Sequence, residues 1–405
     1  SGKVTVWSTT QGVFLVQSGL SESLWMPMTK IRVIGTSVGG AFGGKFEICV
    51  EGLAVVLARK ANRPVKILLT REEELTATRV RHPSIITMKT GVKKDGTLLA
   101  RDVRLIYDTG AFAEDGPTIV GNATVLSRGP YRIPNIHVHG YCVYTNKVIS
   151  GAFRGYGDPQ VTFAYESQMD IIARKLGIDP LEIRLKNMIE TGDKMAHGQE
   201  LLAVGLKKCL LQAAEKAEWG KRTGENRGKG ISLTQHGSGL LSSCAFVRLN
   251  EDGTVTLQIG AIDLGSGSNT TLAQVAAEEL GVSLDNVAVV SADTDSTPYD
   301  YATCADRVAY TAGNAVKLAA ADAKKQLLER AAGMMEAKAE DLEIKESKIF
   351  VKGSPDKSMS MFDMGIACHY FAGGPILGKG SYLARGRPFD ANVMKGHPMG
   401  PHASF

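Results

Sequence analysis

Short β-branched runs alternate with amphipathic stretches along this chain, and glycine marks most of the changes between them. Val4-Thr5-Val6-Trp7 and Ile31-Arg32-Val33-Ile34 read as strands by their β-branching. Glu47 to Lys60, apolar and alanine-containing, predicts a helix, and Val65 to Leu69 predicts a returning strand. Asp95-Gly96 separates Ile85-Ile86-Thr87-Met88 from the run Leu98 to Tyr107, which signals a hairpin. Asp252-Gly253 repeats the device between Ala245 to Leu249 and Val255 to Ile259. Gln160 to Lys175 is amphipathic and stops at Gly177; Asp179 then caps a second helix with Pro180 in its first turn. Asn269 to Leu280, closed by Gly281, and a long stretch from about Asn314 to Ala332 complete the helices. The fold class is α+β, with mixed sheets and packed helices.

Composition adds bounds. At 405 residues and 43% hydrophobic content the chain exceeds one ordinary core and suggests two domains, 1–220 and 221–405, the second incomplete. The polar, glycine-rich segment from Trp219 to Gly230 marks the boundary. A net charge of +5 from 47 basic and 42 acidic residues gives no field that calls for nucleic acid or an anionic membrane, and Lys221, Arg222, Arg227 and Lys229 read as a solvated linker. No apolar run reaches membrane-spanning length and no signal peptide opens the chain. Six cysteines (Cys49, Cys142, Cys209, Cys244, Cys304 and Cys368) lack C-x-x-C pairs, so neither an iron–sulfur cluster nor a zinc ribbon is expected, and reduced thiols fit a cytoplasmic protein.

Two glycine-rich stretches carry the chemistry. Gly39-Gly40-Ala41-Phe42-Gly43-Gly44-Lys45 and Gly151-Ala152-Phe153-Arg154-Gly155-Tyr156-Gly157-Asp158-Pro159-Gln160 each set an aromatic among glycines, so positive φ can bring main-chain N–H groups close to a large polar ligand. Gly39-x-x-x-x-Gly44-Lys45 also matches most of a P-loop, which would imply an ATP-binding hydrolase dependent on Lys45. The following residue argues against it: a P-loop needs a Ser or Thr hydroxyl for magnesium, and Phe46 stands there. The bland alternative is a glycine turn that lets a helix pack on a strand.

Together these loops resemble the molybdenum hydroxylase family, which includes xanthine dehydrogenases and aldehyde oxidoreductases. The resemblance extends through Lys93-Lys94-Asp95-Gly96-Thr97-Leu98-Leu99-Ala100, Ile133-Pro134-Asn135-Ile136 and Lys175-Leu176-Gly177-Ile178-Asp179-Pro180-Leu181-Glu182-Ile183-Arg184. It leans to the aldehyde oxidoreductase branch, whose Gly-Ser-Gly-Leu has a counterpart at Gly237-Ser238-Gly239-Leu240. The implied fold is that family's pair of molybdenum-cofactor-binding domains, with its N- and C-terminal parts missing.

The resemblance also implies roles. Gln11 would be the catalytic and cofactor-binding glutamine that hydrogen-bonds the metal's apical oxo group. Phe42 and Gly43 would offer main-chain donors, and Arg154 with the Phe153 backbone would hold the pterin, a partner suited to a guanidinium fork. Gly265, in the third glycine loop with Gly267, and Ala305, in Thr303-Cys304-Ala305-Asp306-Arg307, would complete the cofactor contacts. Ser266 replaces the family's usual glutamine. No protein side chain would ligate the metal directly; molybdenum would be held through molybdopterin, the cytosine dinucleotide form included. Substrate contacts would come from Phe46, Asn122, Tyr156 and Leu240. Phe46 and Asn122 stand where xanthine dehydrogenases place a glutamate and an arginine, which disfavours a purine. Gly155 and Tyr156 replace the cysteine loop of carbon monoxide oxidation.

The implied reaction is hydroxylation of an aldehyde or N-heteroaromatic carbon with water as the oxygen source. Electrons would leave through iron–sulfur clusters and FAD on other chains or domains, in an oligomer. The family's catalytic glutamate lies in a Gly-x-Gly-Glu-like motif near the end of the molybdenum subunit, and none occurs before Phe405. The expectation is therefore a fragment or split subunit, inactive alone, with another chain or segment carrying the base. From a different class, the alternative is a catalytically silent relative that binds the cofactor for storage or assembly. Other candidates take bland readings: His137 and His139 as ordinary strand residues, His236 as a neighbour of the pocket, Asp293, Asp295, Asp300 and Asp306 as loop carboxylates, and Cys304 as packing.

Overall fold

A computed structural model describes residues 2–195, 198, 200–239, 241–384 and 403–404. In chain order its first elements are β1 (Val4–Ser8), α1 (Val13–Leu24), β2 (Ile31–Gly35), α2 (Glu51–Ala61), α3 (Arg71–Ala77), β3 (Ser84–Val92), β4 (Leu98–Gly110), α4 (Gly116–Leu126) and β5 (Asn135–Tyr144). There follow α5 (Asp158–Leu176), α6 (Pro180–Asn187), α7 (Leu206–Lys216), β6 (His236–Gly237), β7 (Leu241–Leu249), β8 (Val255–Ile259), α8 (Ser268–Leu280) and β9 (Val287–Ser291). The chain continues through α9 (Gly313–Met334), β10 (Leu342–Lys345), β11 (Lys348–Val351), β12 (Ser354–Ser360), α10 (Met361–Tyr370), β13 (Leu377–Ala384) and β14 (Ala403–Ser404). Among the described residues no helix is long and apolar enough to cross a membrane.

Contacts divide the chain into two compact units. The first comprises Ser1–Ala41, Lys45–Leu68 and Gly239–Arg385. Its main sheet runs β13-β7-β8-β9, antiparallel except for the parallel β8–β9 pair. Leu257 and Ile259 pack there against Leu272 and Leu280 of α8 and the alanine face of α9, Ala315, Ala319, Ala320 and Ala323. A second core lies over the parallel pair β1–β2, where Val6, Val16, Leu20, Ile31 and Val33 meet Ile262 and Ala292. A Cβ at Gly35 would lie 2.4 Å from Ile262 Cδ1 and 2.9 Å from the Ala292 Cβ, so a larger residue would force that seam to shift.

The second unit consists chiefly of Phe42–Gly44 and Leu69–Ser238. Its sheet is β3-β4-β5: the Asp95-Gly96 turn makes β3 and β4 antiparallel, and α4 crosses over to place β5 parallel to β4. Leu105, Tyr107, Ile119, Val161, Tyr165 and Met169 form the core between this sheet and α4 and α5. Inside it the Arg184 guanidinium pairs with Glu166 at 2.8 Å, and Tyr131 also bonds that carboxylate.

Both expected hairpins form. So do the caps: Gly177 and Gly281 adopt φ of 66° and 83°, and Asp179 Oδ1 accepts from the Leu181 and Glu182 N–H groups. Two expectations need correction. The helix expected from Glu47 begins at Glu51, because Ile48 turns into the core of α1 and Glu51 accepts from the Cys49 N–H. Val65 to Leu69 is no strand: its alternation is real, but it has no ladder partner among the described residues, and Leu68 is 83% exposed.

Candidate functional site

In the first unit, Gln11 is 3% exposed just before α1. Its Nε2 donates to the Thr303 carbonyl at 3.0 Å while the Thr303 N–H donates to the Gln11 carbonyl at 2.8 Å, so the rotamer and the backbone are fixed by one partner. The Gln11 N–H reaches the Lys45 carbonyl at 2.8 Å, and Phe46 packs its ring 6.1 Å from that of Tyr301. Thr303 also exchanges bonds with Ile262: its hydroxyl donates to the Ile262 carbonyl at 2.7 Å and accepts from the Ile262 N–H at 3.2 Å. Gly239 donates to the Ala305 carbonyl at 2.7 Å. Gln11, Phe46, Ala305 and the loop leading to Gly265 are thereby tied together.

In the second unit, Gly43 lies against the backbone of Ala152 and Phe153; a Cβ would stand 2.6 Å from the Ala152 oxygen. The Arg154 guanidinium carbon lies 5.5 Å from the centroid of the Phe42 ring, a cation–π contact. Asn122 Nδ2 donates to the Tyr156 carbonyl at 2.8 Å. Arg81, which the sequence offered no reason to single out, donates from Nη2 to the Arg154 carbonyl at 2.7 Å and lies over the Phe153 ring at 4.6 Å. Its signal would have been spatial only, since it lies 73 residues from Arg154. Leu240 falls outside the described residues.

The backbone at these positions is held in a costly state. Phe42, Tyr156 and Ala305 have φ of 53°, 49° and 47°, left-handed values that cost a non-glycine residue about 1–2 kcal/mol each. Neighbours share the hand: Gly43 at 102°, Gly155 and Gly157 at 94° and 92°, Asp306 at 52°. Runs of this kind turn successive N–H groups toward one side, the geometry that receives anionic or acceptor-rich groups. The third glycine loop differs. Asp263 Oδ1 already accepts from Gly265 at 2.8 Å and Gly267 at 3.2 Å, and its Oδ2 from Asn269 at 3.2 Å. Those amide bonds hold the Asp263 carboxyl below the usual range despite partial burial. Beside Gly265 the space remains open, with nothing within 4 Å of where a Cβ would be.

Three other candidates have charged partners. Asp293 takes Arg32 at 3.0 and 2.5 Å, Asp300 takes Arg307 at 3.0 Å, and His137 pairs with Asp102 at 2.8 Å beside the His139 ring. Among the described residues no group of three His, Cys, Asp or Glu could hold an ion. Lys45 donates to the Val38 carbonyl of its own loop at 2.6 Å, and α2 starts only at Glu51, so neither the lysine nor a helix N-terminus serves a phosphate as a P-loop requires.

Comparison with known proteins follows the same lines. A family model described as the molybdopterin cofactor-binding domain matches residues 1–188, and a second of the same description matches residues 206–404. The xanthine dehydrogenase molybdenum-binding subunit of Escherichia coli O157:H7 is 36% identical over 387 residues, which cover 91% of this chain and 51% of that one. The nicotinate dehydrogenase large molybdopterin subunit of Eubacterium barkeri is 42% identical over 217 residues, 53% of this chain and 51% of that one. The solved structure of the aldehyde oxidoreductase of Desulfovibrio gigas superposes with a TM-score of 0.84 at 29% identity, covering 98% of this chain and 42% of its own. The chain belongs to the molybdenum hydroxylase family of xanthine dehydrogenases and aldehyde oxidoreductases. It spans about half the length of the curated relatives it matches.

Proposed function

We propose that this chain is the molybdopterin-binding part of a cytoplasmic molybdenum hydroxylase that oxidises an aldehyde or N-heteroaromatic carbon, taking oxygen from water. Its strongest support is a coincidence: the non-glycine residues Phe42, Tyr156 and Ala305, where the family resemblance expects cofactor or substrate, adopt left-handed backbone that local sequence alone disfavours. The residues fit an acceptor-rich group, through strained turns, a guanidinium and open space at Gly265.

When bound, a molybdenum–pterin group supplies a Lewis-acidic centre that takes up two electrons. The chain binds and orients it. Gln11, clamped by Thr303, would direct its amide to the metal's oxygen. Phe42, Gly43, Phe153 and Ala305 would offer main-chain groups, and Arg154, placed by Phe42 and steadied through Arg81, would hold the acceptor edge of the pterin or its cytosine dinucleotide form. Tyr156, Phe46, Asn122 and Leu240 would shape the substrate side, with Asn122 acting by bonding the Tyr156 turn. Phe46 lacks the charge a purine edge would need, which favours an aldehyde or a simpler heteroaromatic ring. A base, iron–sulfur clusters and a flavin from other segments or chains would complete the enzyme.

The test is metal analysis of the purified complex. Gln11→Ala and Arg154→Ala should each lower molybdenum content or turnover at least about tenfold, a loss on the order of 1.4 kcal/mol or more. Unchanged loading and dye reduction in both would refute the assignment.

A further inference from the structure

Beneath the turn at Ala305-Asp306 lies a buried polar network that the roles above leave unused. Arg307 is fully buried, and its guanidinium donates to Asp300 Oδ1 at 3.0 Å, the Ala302 carbonyl at 2.6 Å, the Ser242 carbonyl at 2.8 Å and Ser243 Oγ at 2.8 Å. Ser243 Oγ in turn donates to Asp300 Oδ2 at 2.5 Å. On the other side of the turn, Thr303 uses its N–H, carbonyl and hydroxyl to bind Gln11 and Ile262. The strained pair Ala305-Asp306 is therefore suspended between two anchors only a few residues apart, each reaching a segment remote in sequence.

We infer that Thr303 and Arg307 are positioning residues, which hold the Ala305 turn in its left-handed shape and in register with Gln11 so that the cofactor finds both at once. The inference rests on the molybdenum-cofactor reading above. A core that needed only stability would be served as well by apolar side chains, because a buried ion pair gains little over well-packed hydrophobic residues. What a planar fork adds is direction: it fixes three backbone oxygens or hydroxyls and the Asp300 carboxylate in one plane, which a lysine cannot do. A turn held so rigidly spares the loaded enzyme the ordering cost a mobile loop would incur.

The experiment uses the full enzyme containing this chain, with Thr303→Val, Thr303→Ser, Arg307→Lys and Gln11→Ala. Readouts are molybdenum per chain by elemental mass spectrometry, pterin fluorescence after oxidation, the electron paramagnetic resonance signal of the loaded fraction, and thermal unfolding. Thr303→Val should load several-fold less molybdenum and shift the resonance of what remains, whereas Thr303→Ser should restore both. Arg307→Lys should reproduce the valine defect, and it carries the test if the valine variant does not fold. Wild-type loading and resonance in Thr303→Val and Arg307→Lys, with Gln11→Ala depleted, overturns the inference and leaves the reading intact. Wild-type loading in all four overturns both.

Discussion

Asp158 follows directly on the Tyr156 turn, is 5% exposed, and receives its bonds from two hydroxyls, Thr162 at 3.1 Å and Thr234 at 3.2 Å. Burial outweighs those bonds and a favourable contribution from His236, pushing its carboxyl up from 3.8 to about 6. Tyr165, bonded to the same Thr162 hydroxyl, is raised as well. The sign is fixed by linkage. Because the folded state holds the proton more tightly than the unfolded one, this group favours folding below pH 3.8, and the contribution is lost as pH rises through 6. The gap of about 2 units corresponds to on the order of 3 kcal/mol. Asp158→Asn should therefore melt higher than the parent at pH 8 and lose most of that advantage at pH 4. An advantage equal at both pH values would show that Asp158 is not the titrating group. Asp158 was visible in the sequence only as part of a glycine loop; its burial depends on Thr234, 76 residues away.

Strand β13 rests on α9 through glycine. A Cβ at Gly380 would lie 2.0 Å from the Ala315 oxygen and one at Gly378 2.1 Å from the Ala319 oxygen, contacts with helix backbone that no rotamer can relieve. Gly380→Ala should cost about 3 kcal/mol or more by forcing the strand off the helix, and chemical denaturation should show it. A surface cap behaves more mildly. Asp179→Ala removes acceptors from two α6 amides and from the Trp219 indole, and should cost about 1 kcal/mol. These two cases mark what was legible. Caps and Asp-Gly turns announce themselves because their cause is local, and both hairpins and three helix ends fell where the residues placed them. Leu377–Ala384, with glycines at alternate positions, gave no strand signal, since its partner surface is an alanine face some fifty residues earlier. Val65 to Leu69 failed for the opposite reason: β-branching promised a strand, and no neighbour accepts its hydrogen bonds among the described residues. At the site the same division holds. Glycine loops revealed which backbone turns away from the ordinary hand, while Arg81 was silent in a one-dimensional reading and Thr303 and Arg307 stood out only as neighbours of Ala305, without the remote partners through which they hold that turn.

The first unit is closed by ties between its N-terminal segment and the loop from Ala292 to Thr303. Arg32 grips Asp293, the Val33 N–H donates to Thr294 Oγ1 at 3.0 Å, the Thr294 N–H donates back to the Val33 carbonyl, and Gln11 exchanges bonds with Thr303. Val6, Val16 and Leu20 share their core with Ile262 and Ala292. A chain severed between the two family-matched segments, after residue 188 and before residue 206, would divide this core. Of the first unit, the N-terminal piece would retain the two-stranded parallel sheet β1–β2, which is marginal without the cover supplied from the other piece. Expressed apart, the pieces should show broad thermal transitions and little protection of the β1 and β2 amides from hydrogen exchange. Expressed together, they should co-purify, regain protection at Val33 and recover a cooperative transition. Full protection of β2 in the isolated N-terminal piece would contradict this, because its outward bonds to Thr294 would then be dispensable. The outcome also bears on function, since Gln11 sits on one piece and Thr303 on the other: molybdenum loading should require both, and should return only with the protection that marks their union.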